Sequence, residues 1–151
     1  MVSPDVARNR LRLLEAYLKK LRRIRGATTR EKFLEDTDTQ DIVERNLHLA
    51  IEALFDIGQH IIASSSWEPA EEYADIFAVL HKHGVILDAL LARTVGMAGF
   101  RNLLVHEYAK VDHSQVFDVL QDHLGDLESL ARVFQEYVSV EKENDRPFPI
   151  C

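Results

Sequence analysis

The sequence predicts an all-α protein, an up-and-down bundle of four to five helices. Three observations carry this. Apolar residues recur every three or four positions through most of the chain, strand-like alternation is absent, and each periodic segment ends at its own stop signal. The connections are short, which favours antiparallel neighbours within one bundle.

The first helix is expected from Ser3-Pro4 to Arg25. Ser3 can cap it, Pro4 suits a first helical position, and Gly26 stops it. Leu11, Leu14, Leu18, Leu21 and Ile24 form its apolar stripe. Residues 27 to 36 are a polar connection with room for a short turn around Arg30 to Leu34. The second helix starts at Thr37-Asp38-Thr39-Gln40, which resembles a capping box. Its buried face is Val43, Leu47, Ala50, Ile51, Leu54, Ile57, Gly58, Ile61 and Ile62, and Ser64-Ser65-Ser66 ends it. Gly58 weakens that helix, so close packing against a neighbour is its expected reason. The third helix is expected from near Trp67-Glu68-Pro69 to Gly84, with Glu71 and Glu72 in its first turn and His81, Lys82 and His83 in its last. His81 and His83 are two apart and point to different faces, which argues against a metal site.

The fourth segment spans Val85 to Tyr108, with a break or bend expected around Gly96 and Gly99. The fifth helix is expected from Asp112 or Ser114 to Val138, with Val116, Leu120, Leu124, Leu127, Leu130, Ala131, Phe134 and Val138 as its stripe. One helical domain, 1–140, and a flexible tail, 141–151, holding Pro147 and Pro149, are therefore expected.

The 151 residues suffice for one domain with a real core, and 46% apolar with 28% charged residues fits a soluble globular chain. No apolar run approaches the ~20 residues that cross a membrane, and Met1 to Val6 lacks the pattern of a signal peptide. Cys151 is the only cysteine, so no disulfide forms within one chain, and a cytoplasmic location is expected. The net charge of −7 is uneven: residues 8 to 25 carry eight cations against Glu15 alone. A basic helix of this kind is a solvated face, a face for an acidic partner, or a contact for RNA.

The chemistry-bearing string is Gly99-Phe100-Arg101-Asn102-Leu103-Leu104-Val105-His106-Glu107-Tyr108. Core helices avoid unpaired polar groups, so Arg101, His106 and Tyr108 are either paired structurally or line a site. On a regular helix Arg101 and Tyr108, seven apart, share a face, while Asn102 and His106 form an i, i+4 pair able to hydrogen-bond. His106 lies roughly 140° around from Arg101, a gap that a dimer would relax by facing two copies. Histidine moves protons near neutral pH, and arginine holds phosphate and offsets charge in a transition state. Together they suffice for metal-independent RNA cleavage, in which the ribose 2′-hydroxyl attacks the adjacent phosphate and leaves a cyclic phosphate. The sequence shows no carboxylate cluster for Mg²⁺, and no metal or other cofactor is expected.

Arg101-Asn102-Leu103-Leu104-Val105-His106-Glu107-Tyr108 resembles the signature of HepT-type toxins of the HEPN superfamily. Asp41 to Leu47, Ala50 to Ala53 and Asp56-Ile57-Gly58 resemble the second helix of these proteins, and the resemblance covers roughly residues 5 to 138. It implies an all-α homodimer whose motif helices face a shared cleft. It further implies a ribonuclease toxin with Arg101 and His106 as catalytic pair and Asn102 supporting the histidine. The implied partner is an MntA-type antitoxin, a minimal nucleotidyltransferase that attaches AMP to Tyr108, with the two proteins forming a hetero-oligomer. Phosphate placed beside Arg101 would occupy it and block RNA. The competing possibility is a non-catalytic module that binds nucleotide or partner beside a nucleotidyltransferase.

Overall fold

Three long helices carry the apolar stripes, and the shorter elements position the functional motif against them. The computed structural model describes residues 4–144, with the backbone alone for Pro4, Tyr108 and 141–144. In chain order the elements are α1 (Pro4–Ala27), α2 (Arg30–Glu35), α3 (Thr37–Ser64), α4 (Tyr73–Lys82), α5 (Asp88–Arg93), α6 (Met97–His106), a 3₁₀ turn (Tyr108–Lys110), α7 (His113–Asp122) and α8 (Leu124–Asn144). The fold is an all-α bundle, as the periodicity predicts.

Central α3 packs against α1, α2, α4, α6, α7 and α8, and α1 also lies along α8. Leu14, Leu18 and Leu21 of α1 are fully buried, as are Leu47, Leu54 and Ile57 of α3 and Leu130 and Phe134 of α8. Each such side chain is worth roughly 1.5–3 kcal/mol, well above the few tenths that separate ordinary helix propensities. The predicted stripes are buried almost to the residue; Ile24 and Ala131 are only partly covered.

Five predicted helical segments become eight α-helices among the described residues, and each difference has a local cause. The connection 27–36 contains the true helix α2, capped by Thr29, whose hydroxyl accepts from Lys32 N at 3.3 Å. Phe33 of α2 is fully buried against Phe117, and Arg30 clamps α2 to α7 through Ser114 Oγ (2.9 Å), the Asp118 carboxylate and the Phe117 ring.

The cap of α3 is Asp36 rather than Thr37. Its Oδ1 accepts from Thr39 N at 3.1 Å and its Oδ2 from Thr39 Oγ1 at 2.7 Å, bonds that hold its carboxyl below the ordinary carboxylate range. A carboxylate suits the positive end of a helix dipole better than a hydroxyl does. Gln40, expected to close a capping box, is buried and donates instead to Phe33 O at 2.8 Å.

The third helix starts at Tyr73, not near Trp67. Ser66 takes a left-handed conformation (φ 57°), and Trp67 N donates to Ile62 O at 3.1 Å, wrapping the chain around the end of α3. Trp67 then stacks on His83 at 4.1 Å, and Glu68 binds His83 (2.9 Å) and Lys82 (3.1 Å). Trp67 and Glu68 therefore cover the end of α4 before the chain reaches Glu72 at its start. The bond from His83 and its neighbours lowers the Glu68 carboxyl to about 2.

The expected fifth helix is two helices. His123 (φ −116°, ψ −5°) ends α7 by donating its N–H to Val119 O, and its own carbonyl accepts from Asp126 N to begin α8. The apolar stripe passes through this break unchanged, so periodicity does not reveal it. At the other end α8 reaches Asn144; the rest of the expected tail, 145–151, and the expected cap Ser3 lie outside the described residues. No helix among the described residues is long and apolar enough to cross a membrane.

Gly58 faces α4. A Cβ there would sit 2.7 Å from Ile76 Cγ2 and 3.3 Å from Leu80 Cδ1. Gly58→Ala should therefore destabilise the protein by roughly 1–3 kcal/mol despite alanine's better helix propensity. The check is a thermal unfolding curve, in which the melting temperature should fall by several degrees; an unchanged or higher value would show that α4 shifts without cost.

Candidate active site

The motif helix begins at a backbone break. Thr94 is buried and its hydroxyl donates to Leu91 O at 2.7 Å, closing α5. Gly96 then adopts φ 87°, a conformation that requires glycine, and its carbonyl accepts from Phe100 N to open α6. Gly99 plays no such part: it is helical, with open space where a Cβ would point. Leu104 is the buried residue of α6 and anchors it in the core, where α6 packs on α3 and α4.

Arg101 points inward from α6 and is the most heavily engaged polar residue of the motif. Its side chain is 15% exposed, and its Nε donates to Glu52 Oε1 of α3. Its Nη1 donates to Asn102 Oδ1 at 3.0 Å, and its guanidinium lies 4.9 Å above the Tyr73 ring. Tyr73 is itself stacked on buried Phe55 at 5.0 Å, so the platform under Arg101 is rigid. These contacts fix the guanidinium plane and leave the Nη2 edge unengaged by Glu52 or Asn102.

The other motif residues lie elsewhere. His106 is the exposed last residue of α6, roughly 140° around the helix from Arg101. Asn102 spends its carbonyl on Arg101 instead of bonding His106. Glu107 leaves helical geometry (φ −129°, ψ 49°) as its N–H donates to Leu103 O, so Tyr108 opens the 3₁₀ turn. The shared face expected for Arg101 and Tyr108 on one regular helix is thereby lost; the side chain of Tyr108 lies outside the described residues. Within one chain the structure brings Arg101 and Asn102 together and leaves His106 apart from them.

Sequence reasoning treated α3 as an apolar face and missed its polar row. Glu44, His48, Glu52, Asp56 and His60 recur every four residues, and all are half-buried. Glu44 pairs with His113 of α7 at 2.9 Å, and His48 Nε2 lies 3.4 Å from the Glu52 oxygen that also binds Arg101. Burial raises the Asp56 carboxyl, against the opposing charge of Arg10 on α1. Burial, then Arg10, lowers His60, whose Nε2 is enclosed with no hydrogen-bond partner. The signal was present as an i, i+4 spacing of ionisable residues.

An open cleft between α4 and α6, lined by Gln59, Glu72, Tyr73, Ala98 and Gly99, leads to Asn102. His81 and His83 diverge as expected, toward Asp88 and Glu68. Among the described residues no cluster of His, Cys, Asp and Glu is arranged to hold a metal ion.

An all-helical bundle that fixes an arginine on one face of a short helix and exposes a histidine at its end has the features of a HEPN fold. The model of the Ribonuclease HepT-like family matches residues 14–134, and the chain belongs to that family. It is 29% identical to the tRNA nuclease HepT of Aphanizomenon flos-aquae over 95% of this chain and 98% of that one. It is 28% identical to the mRNA nuclease HepT of Shewanella oneidensis over 87% and 97% of the two chains. Among solved structures, the tri-AMPylated Shewanella oneidensis HEPN toxin in complex with its MNT antitoxin superposes with a TM-score of 0.78 at 28% identity, covering 87% of this chain and 98% of that one.

Proposed function

We propose that this protein is the toxin of a toxin–antitoxin pair, a metal-independent endoribonuclease using Arg101 and His106 and neutralised by AMPylation of Tyr108. The observation that carries it is the fixed guanidinium: Glu52, Asn102 and Tyr73 set its orientation before any substrate arrives. His106 accepts the proton of a ribose 2′-hydroxyl as that oxygen bonds to the adjacent phosphorus. The bond from phosphorus to the 5′-oxygen breaks, the leaving oxygen takes a proton, and a 2′,3′-cyclic phosphate remains. Arg101 meets the charge growing on the phosphate oxygens. Because Arg101 and His106 point apart on one α6, a homodimer completes the site, with two motif helices facing one cleft. The names of the relatives differ in their RNA, tRNA in one and mRNA in the other, so they support RNA as the substrate class.

The Arg101–Glu52 pair favours one competing function, a non-catalytic nucleotide- or partner-binding module, because Glu52 already partly satisfies the arginine. The deciding experiment is cleavage of cellular RNA by purified protein in EDTA, with His106→Ala alongside and intact mass confirming an unmodified Tyr108. Wild-type cleavage should exceed that of the variant by at least ~100-fold, with cyclic phosphate ends. No cleavage by folded, unmodified protein would favour the binding module.

A further inference from the structure

Six of the eight cations of α1 fall into two groups. Arg8 and Arg22 are neutralised, the first by Asp5 (3.6 Å) and the second by Glu15 (2.8 Å) and Glu128 (3.5 Å). Arg12, Lys19, Lys20 and Arg23 are exposed, and no acid among the described residues forms an ion pair with them. At 3.6 residues per turn, Arg12, Lys19 and Arg23 fall within roughly 40° of one another and Lys20 roughly 60° to the side. The stripe from Arg12 to Arg23 is about 16 Å long. Compensation of the helix dipole explains cations in the last turn only, and Arg12, Lys19 and Lys20 lie before it.

The stripe continues into a cleft at the end of α1 whose rim carries Lys20, Arg23 and Lys32 and whose lining also includes Ile24, Ala27 and Ile42. Asp36, also in that lining, bonds Thr39 through both carboxylate oxygens and keeps its negative charge, so the cleft sets Lys20, Arg23 and Lys32 against one acid. The track thus carries an excess of positive charge on a chain that, outside residues 8 to 25, holds ten cations against twenty-four acids. Its composition decides the kind of partner. Protein interfaces have cores depleted in charge and particularly in lysine, whereas the exposed residues along the centre of this stripe are Arg12, Ala16, Lys19 and Arg23, with the exposed apolar side chains Leu13 and Ile42 only at its margins. A row of unpaired Lys and Arg without an apolar centre fits a phosphate backbone.

We propose that the exposed face of α1 formed by Arg12, Lys19, Lys20 and Arg23 is a backbone track for single-stranded RNA. It is separate from the Arg101 site, since α1 and α6 both pack on α3 but not on each other. The choice of RNA as the polyanion rests on the proposed nuclease function.

The test is binding of a fluorescent 2′-O-methyl RNA oligonucleotide, which lacks the attacking hydroxyl, to the full wild-type chain across a salt series. Lys19→Ala/Arg23→Ala, both at exposed positions, should weaken binding at low salt and reduce the slope of log K against log salt by about 1.4, at about 0.7 per lost phosphate contact. Lys82→Ala, which removes a cation paired with Glu68, should leave the slope unchanged. An unchanged slope in the stripe variant overturns the proposal, as does absence of binding by the wild type. Loss of affinity for a nucleotidyltransferase partner with RNA binding intact overturns it too, in favour of a protein interface. The nuclease assignment is tested separately: a chain that does not cut RNA but shows the slope change keeps the track and loses that assignment.

Discussion

A Tyr108→Phe chain is expected to remain toxic in cells that also make the cognate nucleotidyltransferase, whereas the wild-type chain is silenced there. The substitution removes one oxygen, the acceptor, and keeps the ring. Tyr108 opens the turn directly after α6, two residues beyond His106, so a nucleotide attached there adds negative charge at the end of the motif helix. On the proposed function, phosphate at that position would crowd His106 and, across the shared cleft of a dimer, compete with RNA for the partner's Arg101. Occupying the arginine should reduce cleavage by roughly 10²–10³-fold, the range seen when a single donor to a reacting centre is removed. The Shewanella oneidensis toxin, 28% identical to this chain, is tri-AMPylated in its solved complex with the MNT antitoxin. The other three tyrosines, Tyr17, Tyr73 and Tyr137, are partly buried and packed on the core, which disfavours them as acceptors. The readouts are growth with both proteins present and intact mass of the purified toxin. Wild type should gain mass and lose activity; Tyr108→Phe should do neither. Modification and silencing of the Phe variant would place the acceptor elsewhere.

What the sequence made legible follows from how each feature is encoded. The stripes Leu11-Leu14-Leu18-Leu21 and Val43 through Ile62 are periodic, and burial obeys the same period, so the core was readable. Breaks were readable where glycine must take a left-handed conformation, as at Gly96, and hidden where an ordinary residue turns the chain. His123 interrupts a continuous apolar stripe; the end of α3 at Ser64-Ser65-Ser66 was readable, but not that the chain runs on from Ser66 to Glu72 before α4 begins. The motif named Arg101, Asn102, His106 and Tyr108 but not their arrangement. One helix was expected to carry all four, yet Glu107 turns the chain before Tyr108, and Asn102 bonds Arg101 rather than His106. Glu52 and Tyr73, the partners of Arg101, are 49 and 28 residues away in sequence, and no local spacing links them to it.

Those distant partners give the second large effect. Glu52→Gln should lower RNA cleavage by roughly 100-fold through misplacement of Arg101, as expected when a charged group shifts by about an ångström. The carboxylate could instead act as a competitor for Arg101, in which case its removal would raise activity. Geometry and burial favour positioning. Glu52 takes the Nε edge alone, and Asn102 and Tyr73 hold the guanidinium from other directions, so the Nη2 edge can meet phosphate while the pair stays intact. Arg101 and Glu52 are 15% and 21% exposed, so an uncharged glutamine leaves a mostly enclosed cation without its counter-charge. The long arginine side chain relieves that cost by turning toward water, away from Tyr73. His48, which shares the same Glu52 oxygen, offers no replacement anion. The two possibilities separate in the kinetics. Positioning predicts a fall in kcat with little change in KM, since RNA is still held elsewhere, and Glu52→Asp should recover part of the loss. Competition predicts a lower KM and equal or faster cleavage. A melting temperature measured on the same samples must lie well above the assay temperature, so that a lower rate reflects Arg101 rather than unfolding.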